Sequence, residues 1–334
     1  MRPSFHPRLV NGPFDDPGLF VPLTFRKKAL LFDLGDISPL APGDILKISH
    51  VFVTHTHMDH FIGFDQLLRM MLGREKNLYL FGPRGFLKNL QGKLQAYTWN
   101  LVHNYDEGLT ITATEIGHHG RTAQSFDCRK GFAPSPQVNA PAGLPIAMED
   151  TEFTVYTDIL DHQIPSLAFA LKERFHVNIL KPQLAKLGLE PGPWVNQFKT
   201  LLLEEADAGT EIQIPGSIPG AAAATFTIGD LAEKIARITR GQKIAYVADA
   251  AFTPENEKKI IELALEADHL FIEAAFLEKD SSVAKEKHHL TALQAGTLAS
   301  KARVRDMSVF HHSPRYTDLG HLLQEEARLA FNRS

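Results

Sequence analysis

The sequence predicts an α/β fold in which two layers of β-sheet pack together and are flanked by helices. Short runs rich in Val, Leu, Ile and Phe, closed by polar or Gly/Pro residues, occur in both halves of the chain, as strands require. Stretches with apolar residues at i, i+3 and i+4 follow several of these runs and indicate amphipathic helices. No internal period of about 20 to 50 residues is evident, which argues against a repeat architecture.

The first half of the chain alternates strand and turn patterns. A helix is predicted from residue 61 to residue 72, where Phe and Leu recur on one face. The Pro/Gly/Ala-rich stretch GFAPSPQVNAPAGLP, residues 131–145, is typical of a surface loop. The predicted strands of this half are LFVPLTF, KKALLFDLGD, ISHVFVTH, NLYLFGPRG, GLTITATEIGHHG and TEFTVYTDILDH.

The second half first departs from this pattern and then returns to it. Residues 172–224 contain GLEPGPW, the acidic EEADAGTE and IPGSIPGAAAA, which indicate an excursion, part helix and part loop, inserted into a single domain spanning residues 1–334. The strand pattern then resumes with KIAYVADAAF and DHLFIEAAF, separated by the helical PENEKKIIELALEA. TALQAGTLASKARV is a predicted helix, and DMSVFHHSPRY is a strand ending in a loop.

Composition restricts the kind of protein and of site. The 334 residues are 44% hydrophobic and 22% charged, which is ordinary for a globular protein, and the net charge of -4 provides no general basic field for nucleic acid. One cysteine, Cys128, excludes a disulfide framework and a thiolate cluster, so any metal must be held by nitrogen and oxygen ligands. With neither a signal-peptide pattern nor an apolar run of about 18 residues, a cytoplasmic protein that does not enter a membrane is expected.

Potential metal-ligating side chains are most concentrated in the segment VFVTHTHMDHFIGF, residues 51–64. Residues two apart in an extended strand end point the same way, so His55 and His57 can share one metal ion. Asp59 and His60, at the start of the following helix, can turn toward a second ion. Imidazole and carboxylate ligands of this kind favour Zn²⁺.

Two metal ions need more ligands than one turn supplies. The candidates lie where later strands end: Asp249, either His311 or His312, and either His162 or the pair His118 and His119. Spacing alone does not decide between the alternatives.

These motifs resemble the metallo-β-lactamase fold, and within it ribonuclease Z, the tRNA 3′-processing endonuclease. THTHMDH and the Asp in YVADAAF are similar to the signature of the fold. ILDHQIPSLAFAL, GLEPGPW, FIEAAF, HLTALQAGTLASKA and FHHSPRY are similar, in order, to later ribonuclease Z segments. The resemblance implies an αββα four-layer sandwich of two mixed β-sheets flanked by helices.

The resemblance also implies roles for individual residues. It makes His55 and His57 ligands of one metal, Asp59 and His60 ligands of the other, and Asp249 the bridge. It favours His162 and His311 as the remaining ligands. Two divalent ions are implied, Zn²⁺ first and Mn²⁺ or Fe as alternatives.

Three further roles concern proton transfer and substrate. Asp59 would orient the attacking water, and His289, held by Glu273, would protonate the leaving 3′-oxygen. Ser313 and Arg315 are expected to contact a substrate phosphate.

The function implied is a dinuclear-metal phosphodiesterase acting on precursor tRNA, with a homodimer as the expected assembly. The Phe-Leu-Gly-Thr-Gly segment with which the family opens is absent, and residues 172–224 contain few Lys and Arg. These departures favour an alternative, hydrolysis of a small phosphodiester or another ester by the same fold. A second alternative is a non-catalytic RNA-binding or partner subunit.

Overall fold

Two β-sheets contain most of the described strands. The computed structural model describes residues 4–23, 26–141, 144–215 and 223–333. The first sheet has eight strands, in chain order: β1 (Arg8–Leu9), β2 (Leu19–Pro22), β3 (Ala29–Phe32), β4 (Ile48–Phe52), β5 (Lys76–Pro83), β6 (Leu109–Gly117), β7 (Gly120–Asp127) and β8 (Val138–Pro141). Its four central strands, β3 to β6, run parallel.

The second sheet has six strands. They are β9 (Ile146–Glu149), β10 (Phe153–Asp161), β11 (Pro165–Glu173), β16 (Lys243–Val247), β17 (His269–Glu273) and β18 (Met307–Phe310). Their order across the sheet is β18-β17-β16-β11-β10-β9. Strands β16, β17 and β18 are parallel, so their carboxyl ends lie at one edge.

Eleven helices are described. They are α1 (Pro42–Ile45), α2 (Met58–Phe61), α3 (Phe64–Met71), α4 (Phe86–Gln95), α5 (Lys181–Lys186), α6 (Pro193–Leu203), α7 (Ile228–Ile235), α8 (Pro254–Ala264), α9 (Ser281–Lys287), α10 (Ala292–Lys301) and α11 (Gly320–Phe331). Short 3₁₀ turns occupy Val102–Asn104, Cys128–Lys130, Glu278–Asp280 and Pro314–Tyr316. Within the described ranges, no helix is long and apolar enough to cross a lipid bilayer.

Alternation along the strands produces the four layers that the sequence predicts. Phe32 and Phe52 of the first sheet contact Phe169 of the second, with ring centroids 5.7 and 5.5 Å apart. Leu31 and Val51, one position away, point to the opposite face and pack with α3 and α4. Helices α8, α10 and α11 cover the outer face of the second sheet.

A separate compact unit is formed by residues 149–154 and 172–242. It contains α5, α6, α7 and two small antiparallel ribbons, β12 (Phe175–Ile179) with β15 (Ala236–Arg240) and β13 (Glu211–Ile214) with β14 (Ala224–Thr227). Its own core includes Trp194, Phe198 and Leu231. Residues 216–222, part of the predicted excursion, lie outside the described residues, and the single-domain prediction stays a prediction.

Three local expectations differ from the structure. The helix predicted over residues 61–72 is two helices, because Ile62 and Gly63 separate α2 from α3. The predicted loop 131–145 contains the exposed edge strand β8, which pairs with β7. Helix α11 follows β18, although the sequence analysis assigned no element there.

The loop after β3 and the turn after β4 are bonded to each other. The Leu34 amide donates to the His60 carbonyl at 2.9 Å, and the Gly63 amide donates to the Leu34 carbonyl at 2.9 Å. A Cβ on Gly63 would collide with the carbonyl oxygen of Gly35. The break between α2 and α3 is therefore a close backbone contact that only glycine permits.

Replacing Gly63 by Ala is expected to lower the free energy of unfolding by about 1–3 kcal/mol, because the added methyl group must displace backbone. Urea denaturation of the apoprotein measures it. Gly92→Ala is the matched control: at this exposed position in α4, no described atom outside the neighbouring residues and the helix's own backbone lies within 4 Å of a Cβ. Its stability should be unchanged or higher, since Ala favours a helix interior over Gly by about 1 kcal/mol. Equal stability of the Gly63 variant and wild type would contradict the packing argument.

Candidate metal centre

The titratable side chains lie at the ends of different strands and come together in one cluster. His55 and His57 follow β4, Asp249 follows β16, Glu273 ends β17 and His311 follows β18. His162 lies in the turn between β10 and β11. Because parallel strands end at a common edge, ligands far apart in sequence meet there.

The carboxylate of Asp249, which is 2% exposed, lies at the centre of the cluster. Its Oδ2 lies 3.7 Å from His55 Nε2 and 3.6 Å from His162 Nε2. Its Oδ1 lies 3.3 Å from His60 Nε2 and 3.5 Å from His311 Nδ1. Each oxygen therefore faces a different group of histidines.

Two groups of potential ligands result. Ligand atoms of His55, His57, His162 and Asp249 lie within 4.8 Å of one another, and so do those of Asp59, His60 and His311. The structure thus brings together all seven residues that the sequence analysis selected, although their roles as ligands stay predictions. A third combination, of Asp249, Glu273, His289 and His311, meets the same distance criterion.

In the first group, the protonation state of His55 and the orientation of His162 suit binding of a metal ion. Burial, reinforced by the charge of His60, lowers the pKa of His55 to about 2, so its imidazole is neutral at pH 7. The Nδ1–H of His162 donates to the carbonyl of His288 at 2.9 Å, which directs Nε2 toward Asp249. His288 adopts a left-handed backbone conformation (φ 58°), and this orients its carbonyl as a backbone acceptor.

The second group is more strongly charged. Burial raises the pKa of Asp59, but the hydrogen bond from His311 and the charge of His60 outweigh it and lower that pKa to about 2. Burial lowers the pKa of His60, whereas Asp249 and Asp33 raise it well above its usual range. The carboxylates around His60 therefore favour a positive charge at this point, which a proton or a divalent cation can supply.

Asp33, which is completely buried, orients His60 from behind. Its Oδ2 accepts from His60 Nδ1 at 2.9 Å and from the Tyr246 hydroxyl at 3.0 Å. Its Oδ1 accepts from the amide of Thr54 at 2.7 Å. These bonds fix the ring so that His60 Nε2 faces Asp249.

Glu273 and His289 form a second carboxylate–imidazole pair. The Nδ1–H of His289 donates to Glu273 Oε2 at 2.9 Å, and the Ala250 amide donates to Glu273 Oε1 at 2.8 Å. Burial lowers the pKa of His289, but the Glu273 carboxylate outweighs it and raises that pKa to about 9. His289 is therefore charged at pH 7, with Nε2–H not engaged by Glu273.

A cleft of about 280 Å³ opens beside this pair. Residues from the N-terminal segment, the α9 end and the loop after β18 line it. They are Phe14, Asp15, Asp16, Asp59, Ala275, Phe276, Lys287, His289, His311, His312, Ser313 and Pro314. Its wall is acidic on the N-terminal side, and among the described residues that line it Lys287 is the one Lys or Arg.

The donor atoms of the cluster fit a metal ion. His55 Nε2, His60 Nε2 and Asp249 Oδ1 are buried without a hydrogen-bond partner among the described residues. Leaving such atoms unpaired costs about 1–3 kcal/mol each. Neutral imidazole nitrogens and a carboxylate oxygen that converge in this way are the donors that divalent metals bind.

Other predicted residues lie at or beyond the edge of the cluster. Ser313 lines the cleft, whereas the Arg315 guanidinium is exposed and lies 3.4 Å from Asp280. His118 and His119 occupy the exposed turn between β6 and β7 and belong to none of the ligand groups found among the described residues. His312 is buried and donates to the Ala274 carbonyl at 2.8 Å.

Sequence reasoning missed Asp33 and Asp16. Asp33 lies in KKALLFDLGD, directly after a buried strand, and its position at a strand end was a signal of the same kind as that of Asp249. Its positive φ of 60° could not be foreseen, because aspartate rarely adopts it. Asp16, in PFDDPG, gave no signal, since a Pro/Gly-flanked aspartate usually belongs to a turn.

Curated relatives of the chain are ribonuclease Z proteins. The chain is 28% identical over 332 residues to ribonuclease Z of Deinococcus radiodurans, a match covering 93% of this chain and 90% of the relative. It is 25% identical over 309 residues to ribonuclease Z of Thermococcus sibiricus, covering 89% and 80% respectively. No family model matches the chain. The resemblance to ribonuclease Z that the sequence analysis predicts is thus confirmed.

Solved structures share the fold. The short form of human tRNase Z matches with a TM-score of 0.53 and 17% identity, over 92% of this chain and 93% of that one. The metallo-β-lactamase-fold protein YhfI from Bacillus subtilis matches with a TM-score of 0.55 and 14% identity, over 98% and 94%. The chain has the metallo-β-lactamase fold, as predicted, and its clustered His and Asp side chains are suited to holding a divalent metal ion.

Asp33→Asn is expected to weaken metal binding by about 10- to 100-fold, because the amide cannot accept the same hydrogen bonds and His60 loses its orientation. Competition of the apoprotein with a chelating dye for Zn²⁺ measures the affinity. Asp36→Asn, in the same loop, is the control, since its exposed carboxylate accepts only from Ser38. An unchanged affinity in the Asp33 variant would mean that His60 needs no such support.

Proposed function

We propose that the chain is a dinuclear-metal phosphodiesterase of the ribonuclease Z type that cleaves precursor tRNA at its 3′ trailer. The observation that carries the proposal is the Asp249 carboxylate, whose two oxygens face two separate histidine groups. Two-metal sites use such a shared carboxylate to hold both ions. The ribonuclease Z relatives support the choice of reaction.

The proposed ligands follow the two groups. His55, His57 and His162 would hold one ion, Asp59, His60 and His311 would hold the other, and Asp249 would be shared by both. Nitrogen and carboxylate donors without thiolates favour Zn²⁺, with Mn²⁺ and Fe as alternatives. When bound, the ions supply activation of water and compensation of the charge that develops on phosphorus.

The chain's own residues complete the reaction. Asp59, ionised at pH 7 and 40% exposed along its side chain, accepts a proton from the attacking water. The new bond joins that water's oxygen to phosphorus, and the bond from phosphorus to the ribose 3′-oxygen breaks. His289 Nε2–H protonates the departing 3′-oxygen, while Glu273 maintains the charge and orientation of the ring.

A second candidate function is hydrolysis of a small phosphodiester or another ester. Two observations favour it. Residues 172–242 contain eight Lys or Arg and eight Asp or Glu, so this segment has no net charge with which to attract RNA. The chain also lacks the Phe-Leu-Gly-Thr-Gly segment with which ribonuclease Z opens. A subunit that only binds RNA or a partner protein does not require seven converging metal-ligating side chains. Their convergence therefore gives no support to the non-catalytic alternative.

Asp249→Ala should remove both metal ions, whereas His57→Ala should remove chiefly one. The reason is that only Asp249 faces both groups. Elemental analysis after dialysis measures metal per chain, with about two equivalents expected for wild type. A full equivalent retained by the Asp249 variant would show that the sites do not share this carboxylate.

His289→Ala is expected to lower kcat on a precursor tRNA with a 3′ trailer by about 10²- to 10⁴-fold, because the poor leaving group loses its acid. The effect on bis(p-nitrophenyl) phosphate should be much smaller, since p-nitrophenolate leaves without protonation. His119→Ala is the matched control, and Asp249→Ala is the blank.

The outcomes separate the two candidate functions. Cleavage at the trailer junction by wild type supports the tRNA function, and turnover of the small diester alone supports the second candidate. Equal losses on both substrates in the His289 variant would remove His289 from the role of acid.

A further inference from the structure

The N-terminal segment contributes a carboxylate to the reaction cleft that the proposed mechanism does not use. Asp16 lines the same cleft as Asp59, His289 and His311. It belongs to none of the groups of potential metal ligands among the described residues. Asp16 therefore faces the space that substrate occupies without belonging to the metal cluster.

The backbone around Asp16 is held firmly. Asn11 Nδ2 donates to the Asp16 carbonyl at 2.6 Å and to the Asp36 carbonyl at 2.7 Å. The Gly35 amide donates to the Pro17 carbonyl at 3.0 Å. A Cβ on Gly35 would lie only 2.7 Å from the Asp16 Cβ, so the two loops are in direct contact.

The Asp16 carboxylate itself accepts no hydrogen bond from the part of the chain that the structure describes. Its neighbour Asp15 differs, because its Oδ2 accepts from the Gly12 amide at 3.1 Å. Burial is the largest cause that raises the pKa of Asp16, and the charges of Asp59 and Asp36 raise it further. His60 and His311 are also close enough to affect this pKa, and their charges lower it. An ionised carboxylate can only accept hydrogen bonds, so its partner on a substrate must be a hydrogen-bond donor.

We propose that Asp16 accepts a hydrogen bond from the ribose 2′-hydroxyl of the nucleotide that carries the leaving 3′-oxygen. This inference rests on the proposed function. In that function, His289 protonates the 3′-oxygen inside the cleft. The 2′-hydroxyl is on the adjacent carbon of the same ribose, so this donor enters the cleft together with the 3′-oxygen. The base N–H groups, an exocyclic amine among them, are the other donors that a nucleotide offers.

The role of such a contact is selection of RNA over DNA. The 2′-hydroxyl is the group by which a protein distinguishes the two at a given position. A deoxyribose would leave the carboxylate unpaired beside a phosphate, and a hydrogen bond to a charged group would be lost. Asp16 is thus a specificity-determining residue that contacts substrate.

The test compares kcat/KM of the metal-replete enzyme on matched precursor RNAs. One carries a single 2′-deoxy substitution at the nucleotide before the scissile phosphate, and another carries it at the nucleotide after. A third keeps both hydroxyls but has a base without its exocyclic amine. The ratio of unmodified to modified substrate is measured for wild type, Asp16→Ala, Asp16→Asn and Asp15→Ala. Because the ratio is internal to each variant, a general loss of activity cancels.

Wild type should discriminate about 10- to 100-fold against the 2′-deoxy nucleotide before the scissile phosphate. Asp16→Ala should bring the ratio close to one. Asp16→Asn, whose amide oxygen still accepts, should keep part of the discrimination, and Asp15→Ala should keep all of it. Asp16→Ala retains the Cβ, and metal content and melting temperature verify its fold.

Three results would overturn the inference. RNA cleavage with the same ratio in wild type and Asp16→Ala would remove Asp16 from the contact, while the proposed function stands. Asp16-dependent discrimination against the base analogue or the following nucleotide, and not against the preceding 2′-deoxy position, would assign the carboxylate to a different donor. Absence of RNA cleavage by wild type would refute the proposed tRNA function, and the inference with it.

Discussion

The electrostatic position of Asp249 is the constraint on which the rest of the site depends. A carboxylate buried this completely is unfavourable unless positive charge or hydrogen-bond donors surround it. The histidine rings on both of its sides provide that environment, and Asp33 and Glu273 in turn fix two rings of the cluster, His60 and His289. The parts of the site therefore depend on one another: strand ends position the candidate ligands, and buried carboxylates orient the imidazole rings.

Much of this arrangement could be predicted from the sequence because the chemistry is local there. His55, His57, Asp59 and His60 lie within six residues, so their convergence needs only one strand end and one helix start. Asp249 was a candidate because it follows a short apolar strand, and the resemblance to ribonuclease Z selected His311 over His312. Strand periodicity predicted two sheets flanked by helices, and the resemblance of several ordered motifs to ribonuclease Z implied the metallo-β-lactamase fold. Solved structures with that fold confirm it.

What could not be predicted depends on tertiary contacts. Spacing alone leaves His162 and His118 equivalent; the resemblance to ribonuclease Z favoured His162, and the packing of the turn after β10 against Asp249 is the contact that brings it into the cluster. The break at Gly63 is caused by a backbone contact with Gly35, some thirty residues earlier, and a helical pattern contains no trace of it. Asp16 lies in a segment without any strand or helix pattern, and its position in the cleft depends on the backbone bonds that Asn11 provides.

The wide sequence separation of the ligands has a consequence for biogenesis. His311 and Asp59 contact each other although they lie 252 positions apart. During synthesis, the His-rich turn leaves the ribosome long before β16 and β18 exist, so the nascent chain can offer an ion only a partial set of donors. Closing such a large loop is entropically costly and slow. With the ligands proposed above, a complete set of metal donors exists only after the second sheet has assembled.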